Sequence, residues 1–312
     1  MSGEARRAPA ELRLDRVSRW YGDVIALNDV ELTFGPGVIG LLGPNGAGKT
    51  TMIRLMVGLA TAGDGEVLLD GTPIRNDLSA LARIGYVADG DGLYDEQLAR
   101  RFLIDQARLR GFVGDAAPRR VDEVLQRVGL DAAADRLTGG FSKGMRQRLK
   151  LAQAMLHDPD VLVLDEPLTG LDPIMRRDFI RVIRELGDEG VTVVVSSHVL
   201  HEIEAMTDAI VLMRHGQVLA EGTVADIRDR LDTEPRRLAL STSDPRGLAA
   251  QLLDDGLIEG CDFGDGILTV RTLHPDRLCE AVQNLVLVSG ADITSVEPLD
   301  EDLRSIFAYL VQ

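Results

Sequence analysis

Gly43-Pro44-Asn45-Gly46-Ala47-Gly48-Lys49-Thr50 has the spacing G-x-x-x-x-G-K-T of a phosphate-binding loop. Residues 38–42 form an apolar run that reads as a buried strand, and residues 51–59 read as a helix. A glycine-rich loop in that setting turns backbone N–H groups inward at the positive end of the helix, which suits phosphate oxygens. Lys49 is placed to reach β- and γ-phosphates, and the Thr50 hydroxyl to hold Mg²⁺. The chain carries 31 Arg but only three Lys (Lys49, Lys143 and Lys150), so lysine is not its default cation. That bias disfavours the plainer reading, a glycine-rich turn that happens to hold a lysine.

The 312 residues, 45% of them hydrophobic, suffice for a large domain plus a small one, or for two medium ones. A formal net charge of −16 argues against non-specific binding of nucleic acid or of anionic membrane, both of which require basic patches. No apolar run approaches the ~20 residues of a bilayer span, and the N-terminus lacks a signal-peptide apolar core. The expectation is a cytosolic protein that meets a membrane only through a partner. Cys261 and Cys279 have no metal-ligand spacing and read as reduced thiols.

Residues 1–10 read as a loose tail. Residues 11–18 alternate apolar and polar, as an exposed-edge strand would, and a second alternating run covers residues 26–34. Strands are expected at 65–70 and 83–87. Helical patterns follow at 95–110, 116–128 and 142–156, so about 90–156 is a helical insertion. Val161-Leu162-Val163-Leu164 is wholly apolar, as in a parallel strand buried on both faces. A helix with Pro in its first turn (173–188) and another buried strand (191–195) complete an alternating α/β core. Residues 229–237 read as a linker. Beyond it, strand (238–241), helix (245–253), strands (257–263, 266–271), helix (275–285) and strand (292–298) follow a βαββαβ order, with a last helix at 300–310. That order suggests a small ferredoxin-like domain over 232–312.

Asp165 and Glu166 directly follow the apolar strand. Asp165 is placed to hold Mg²⁺ and Glu166 to polarise an attacking water as general base; an acidic strand-end turn is the competing reading. His198 ends the next strand, where it could meet a γ-phosphate or be merely structural. His157, His201, His215 and His274 read as structural. In Phe141-Ser142-Lys143-Gly144-Met145, Ser142 occupies a helix N-cap, which makes a second anion-binding helix start. Two such starts in one chain suit a nucleotide held between two copies, one supplying residues 43–50 and the other residues 142–144.

The order of these motifs over residues 11–230 resembles the nucleotide-binding subunit of ABC transporters. The resemblance implies an α/β P-loop NTPase fold with a mixed-sheet core, an antiparallel edge subdomain and the helical insertion, with ATP and Mg²⁺ as cofactors. Tyr21 matches the aromatic residue that stacks on adenine, with Trp20 as competitor. Gly43, Pro44, Asn45, Gly46, Ala47, Gly48, Lys49, Thr50 and Thr51 match the ATP-binding loop. Ser142, Lys143, Gly144 and Met145 match the signature that acts on the partner copy's nucleotide. Glu166 matches the catalytic base, His198 the γ-phosphate sensor, and Asp172 the loop between protomers. Thr50, Asp165 and Asp89 are the expected metal ligands.

Two departures stand out. Asp89 replaces the family's glutamine, and Lys143 replaces a signature glycine. The shorter, charged Asp89 puts the hydrolysis rate in question. The form of the signature and the extra C-terminal domain resemble the subgroup serving separately encoded exporter-type permeases. The expected partners are therefore a second ATPase copy, or a related subunit, and an integral membrane permease on whose cytoplasmic face the chain sits, with no nucleic acid. A soluble ATPase acting on nucleic acid is opposed by the charge. A nucleotide-gated switch with slow hydrolysis is the alternative that Asp89 keeps open.

Overall fold

The computed structural model describes residues 9–90, 92–223, 226–227, 235–264, 267–289 and 292–299. The chain divides into two compact units, residues 1–223 and 224–312.

Among the described residues of the first unit, ten strands form two sheets. β1 (Leu12–Tyr21), β2 (Val24–Phe34), β4 (Asp64–Leu69) and β5 (Thr72–Pro73) make an antiparallel sheet in the order β2-β1-β4-β5. β1 is thus internal, paired with both β2 and β4, and not the expected edge strand. Its alternating Leu12, Leu14 and Val17 are fully buried. Alternation reports one covered face; it is silent on how many hydrogen-bonded neighbours a strand has. Ala10, placed in the tail by its sequence, is also buried, and its carbonyl accepts from Thr192 Oγ1 at 2.6 Å.

The second sheet runs β10-β9-β3-β8-β7-β6, comprising β3 (Gly37–Leu42), β6 (Ile84–Val87), β7 (Val161–Leu164), β8 (Thr192–Ser197), β9 (Ala209–Arg214) and β10 (Gln217–Thr223). β6, β7, β8, β3 and β9 pair in parallel, and only β10 is antiparallel. Every residue of β7 and β8 is buried, which is why both read as apolar runs. Burying such side chains stabilises by roughly 1.5–3 kcal/mol each. The C-terminal ends of β3, β6, β7 and β8 open onto the same edge, where parallel α/β sheets place their ligands.

Helix α1 (Lys49–Met56) follows β3 and ends earlier than expected, before Gly58 at φ 71°. A short α2 (Leu78–Leu81) is N-capped by Asp77. The helical insertion comprises α3 (Ala99–Leu109), α4 (Ala116–Arg127) and α5 (Lys143–Met155). α4 buries Ala117, Val121, Val124 and Leu125, a stripe with helical spacing. Its Arg120 donates to the carbonyls of Met155 and Leu156 at 2.8 and 2.9 Å, closing the C-terminal end of α5. α6 (Pro173–Asp188) starts at the expected proline, capped by Asp172, and α7 (Leu200–Glu204) follows β8.

The second unit contains β11 (Arg236–Thr242), α8 (Pro245–Asp254), β12 (Gly260–Gly264), β13 (Ile267–Thr272), α9 (Pro275–Ser289) and β14 (Ile293–Pro298). Its sheet order is β12-β13-β11-β14, antiparallel throughout, which is the ferredoxin-like arrangement. Leu238, Leu240, Leu248, Leu252, Leu268 and Val270 build its separate core. Arg236 and Arg237, read as linker, belong to β11. The expected helix at 300–310 and most of the expected linker lie outside the described residues, as does most of the expected tail.

Candidate functional site

The loop 43–50 joins β3 to α1 at the open edge of the parallel sheet. Gly46 and Gly48 have φ of 83° and 105°, where side chains are strained. At Gly48 a β-carbon would also strike the Ala26 carbonyl. Lys49 is the first residue of α1 and is buried. Its Nζ donates to the Gly43 carbonyl at 2.6 Å and the Pro44 carbonyl at 3.3 Å, and lies 3.7 Å from Glu166 Oε1. Burial pushes the Lys49 ammonium below its usual range, while Glu166 and Asp165 oppose that shift.

Glu166 follows β7 with a left-handed φ of 46°. Ser196 holds this conformation: its Oγ accepts from the Glu166 N–H at 2.9 Å and donates to Asp165 Oδ1 at 2.8 Å. Ser196 is fully buried and Asp165 nearly so. Sequence reasoning missed Ser196, although two hydroxyl residues ending a buried valine strand were the available signal. Beside it, Ser197 Oγ donates to the buried Glu202 at 2.8 Å, which fixes the turn into α7. His198, on that turn, places Nδ1 2.9 Å from Glu166 Oε2.

These groups share one cleft of about 450 Å³, lined by residues 24–26 and 44–51 with Asp89, Glu166, Thr169 and His198. Asp89 reaches it from the loop after β6. On that strand, burial raises the Tyr86 phenol pKa, with Asp165 and Asp89 adding to the rise and Arg54 opposing it. A larger hollow of about 470 Å³ under α1 and β4 holds none of this chemistry. Tyr21 does not line the cleft but stands exposed before the turn into Val24, with the Arg19 guanidinium 4.9 Å from its ring centre. The Trp20 indole packs on Gly63, where a β-carbon would collide with it.

The residues 142–145 lie outside this cleft. Ser142 caps α5, its Oγ accepting from the Met145 N–H at 3.3 Å. Gly144 is covered by Met175 of α6, whose sulfur leaves no room for a β-carbon. Met175, unforeseen from sequence, also lies 3.8 Å from Ser142 Oγ. The exposed Lys143 folds over Gly170, and Asp172 caps α6 by accepting from the Met175 N–H at 2.9 Å. One chain therefore presents the cleft of residues 44–51 and, elsewhere, the capped N-terminus of α5, a kind of helix end that suits anions.

The donor set fits a nucleoside triphosphate with Mg²⁺. The cradle has left-handed backbone at Gly46 and Gly48 and a buried ammonium, and the buried Asp165 directly precedes Glu166, which lines it. Among the described residues no three Asp, Glu, His or Cys side chains gather at metal-holding distance. Mg²⁺ commonly completes its shell with phosphate oxygens and water when few carboxylates are present.

Residues 27–169 match the family described as ABC transporter. The chain is 38% identical over 301 residues to the bacitracin transport ATP-binding protein BcrA of Bacillus licheniformis, covering 95% of each. It is 38% identical to the Nod factor export ATP-binding protein I of Burkholderia orbicola, over 69% of this chain and 71% of that one. Among solved structures, a dimeric bacterial ABC transporter cassette superposes with a TM-score of 0.62 over 68% of this chain and 98% of that one; at 24% identity this likeness bears on fold alone.

Proposed function

Because the chain belongs to the family of ABC transporter ATP-binding proteins, we propose that two copies bind two ATP between them, close, hydrolyse and reopen, and so drive a separately encoded membrane permease in export. The observation that carries this reading is the junction of Lys49, Glu166 and His198 in the cleft of residues 44–51. The closing surface is Ser142 and Gly144 of the second copy.

Residues 43–51 hold the phosphates through backbone N–H groups, and Lys49 contacts the β- and γ-phosphates. Bound Mg²⁺ supplies charge neutralisation on the phosphate oxygens, and Thr50, Asp165 and Asp89 are the residues that would hold it. Glu166 orients a water and takes its proton as the water oxygen bonds to the γ-phosphorus and the bond to the β–γ bridging oxygen breaks, leaving ADP and phosphate. His198 steadies the Glu166 carboxylate through the 2.9 Å contact and faces the γ-phosphate. Tyr21 is the base-stacking residue, since the Trp20 ring is occupied by Gly63.

Closure requires ATP to bind the closed dimer better than the open one. No helix among the described residues is long and apolar enough to cross a membrane. The transporter relatives support a permease subunit that provides the path, with the chain working from its cytoplasmic face. The name of the Nod factor relative supports export as the direction. The test is steady-state phosphate release by the purified chain with ATP and Mg²⁺, alongside size-exclusion chromatography. Hydrolysis that depends on Mg²⁺, with an ATP-dependent dimer, is expected; a chain that binds ATP and does not turn it over is the slow switch instead.

A further inference from the structure

Lys150 lies two turns into α5, buried, and its Nζ donates to the carbonyls of Ala88 at 2.8 Å and Gly90 at 2.6 Å. These are the two residues flanking Asp89, which lines the phosphate cleft. One helical turn earlier on the same face, Arg146 donates to Asp95 Oδ1 through Nη1 and Nη2, both at 2.8 Å, and to the Thr138 carbonyl at 3.0 Å. Thr138 Oγ1 in turn donates to the Tyr94 carbonyl at 2.6 Å. The segment 88–95 is thus tied to α5 at both ends.

Burying a lysine is costly unless its ammonium is hydrogen-bonded. Here its compact tip meets two converging carbonyls, a geometry the planar guanidinium fork does not reproduce. In a chain with 31 Arg, two of the three Lys, Lys49 and Lys150, contact or brace residues of the same cleft.

We propose that Lys150 is the positioning residue for Asp89: it clamps the loop 88–90 to α5, so that the helix whose N-terminus carries Ser142 and Gly144 dictates how far Asp89 enters the cleft. The inference rests on the Mg²⁺-dependent ATPase reading of that cleft. A helix that tilts when its N-terminus engages a partner's nucleotide then moves Asp89 in its own copy's site. Asp89 has one side-chain bond fewer than the family's glutamine, so its reach depends on this backbone placement.

The test uses the full chain with Lys150→Met, which keeps the unbranched stem and removes the ammonium with its donors. Fluorescent-nucleotide affinity without Mg²⁺, kcat, and the Mg²⁺ concentration for half-maximal hydrolysis are measured. The expected result is a kcat about tenfold lower and a Mg²⁺ requirement several-fold higher, with Mg²⁺-free nucleotide affinity unchanged, as for other groups that orient metal ligands. Asp89→Ala should show the same pattern, and the double variant should be no worse than Asp89→Ala, because the two residues act as one unit. Lys150→Met with wild-type kinetics, or with a loss that adds in full to that of Asp89→Ala, overturns the proposal. If Lys150→Met does not melt cooperatively, Lys150→Leu, which also lacks donors, carries the same two comparisons. A wild-type chain without Mg²⁺-dependent hydrolysis is a separate failure, that of the ATPase reading itself.

Discussion

His198 Nδ1 lies 2.9 Å from Glu166 Oε2, while the other carboxylate oxygen of Glu166 faces Lys49 Nζ at 3.7 Å. One carboxylate therefore sits between the buried Lys49 ammonium and the imidazole at the end of the next strand. Such placement fixes its rotamer, as positioning for proton transfer requires.

Glu166→Gln keeps this shape and removes the proton acceptor. Phosphate release is expected to fall about 10²–10⁴-fold, while ATP binding persists. The dimer should then accumulate in ATP on size-exclusion chromatography. A variant that stays monomeric and hydrolyses normally would remove Glu166 from its assigned role.

Lys49→Ala takes away the buried ammonium that bonds the Gly43 and Pro44 carbonyls. A fluorescent-nucleotide titration is expected to show ATP binding abolished. Unchanged affinity would refute the phosphate-loop assignment. Because burial already opposes the charged form of Lys49, the fold should tolerate this loss better than the ligand does.

Ser196→Ala probes the support beneath Glu166. The substitution leaves the Glu166 N–H and the buried Asp165 oxygen without their partner, a cost of about 1–3 kcal/mol. Denaturant unfolding reads that cost, and phosphate release should fall with it as the left-handed backbone at Glu166 relaxes. Wild-type stability together with wild-type turnover would show that Ser196 does not hold this turn.

Much of this site was legible in the sequence because its groups sit at strand ends, where an apolar run stops and a polar motif begins. β3 announces residues 43–50, β7 announces Asp165 and Glu166, and β8 announces His198. The cap Ser142 was legible for a similar reason, since a local hydrogen bond from i to i+3 leaves a local signature, whereas Asp172, read only as part of the loop between protomers, turned out to cap α6. What escaped was non-local. Ser196 acts on the neighbouring strand, Met175 covers Gly144 from another helix, and Lys150 reaches a loop some sixty positions away. No periodicity encodes such pairs, although the scarcity of lysine was a hint for Lys150. The internal place of β1 escaped because pairing is a property of the sheet. β9 and the more exposed β10 went unread, β9 despite four consecutive buried apolar residues.

His157 offers a prediction about pH. It lies just after α5 with Nε2 3.1 Å from the Ile84 carbonyl and Nδ1 buried without a hydrogen-bond partner. Burial, with Arg110 and Arg120 nearby, lowers its pKa from 6.5 to about 4. Between those values the unfolded chain binds a proton that the folded chain refuses, so stability rises with pH across the window and is lost as pH falls from 6.5 towards 4. His157→Gln keeps a donor for the Ile84 carbonyl and cannot titrate. Thermal melts from pH 7 to pH 4 should therefore show a shallower decline for the variant than for the wild type, with the two differing least near pH 7. Parallel curves across the window would mean that His157 takes up its proton equally readily in the folded and the unfolded chain, and so carries no pH dependence of stability. Burial works against the Asp70 carboxylate but its bonds to Glu11 and Arg83 lower its pKa, so its contribution fades only as pH falls below the usual carboxylate range and leaves the pH 7 to pH 4 window to His157.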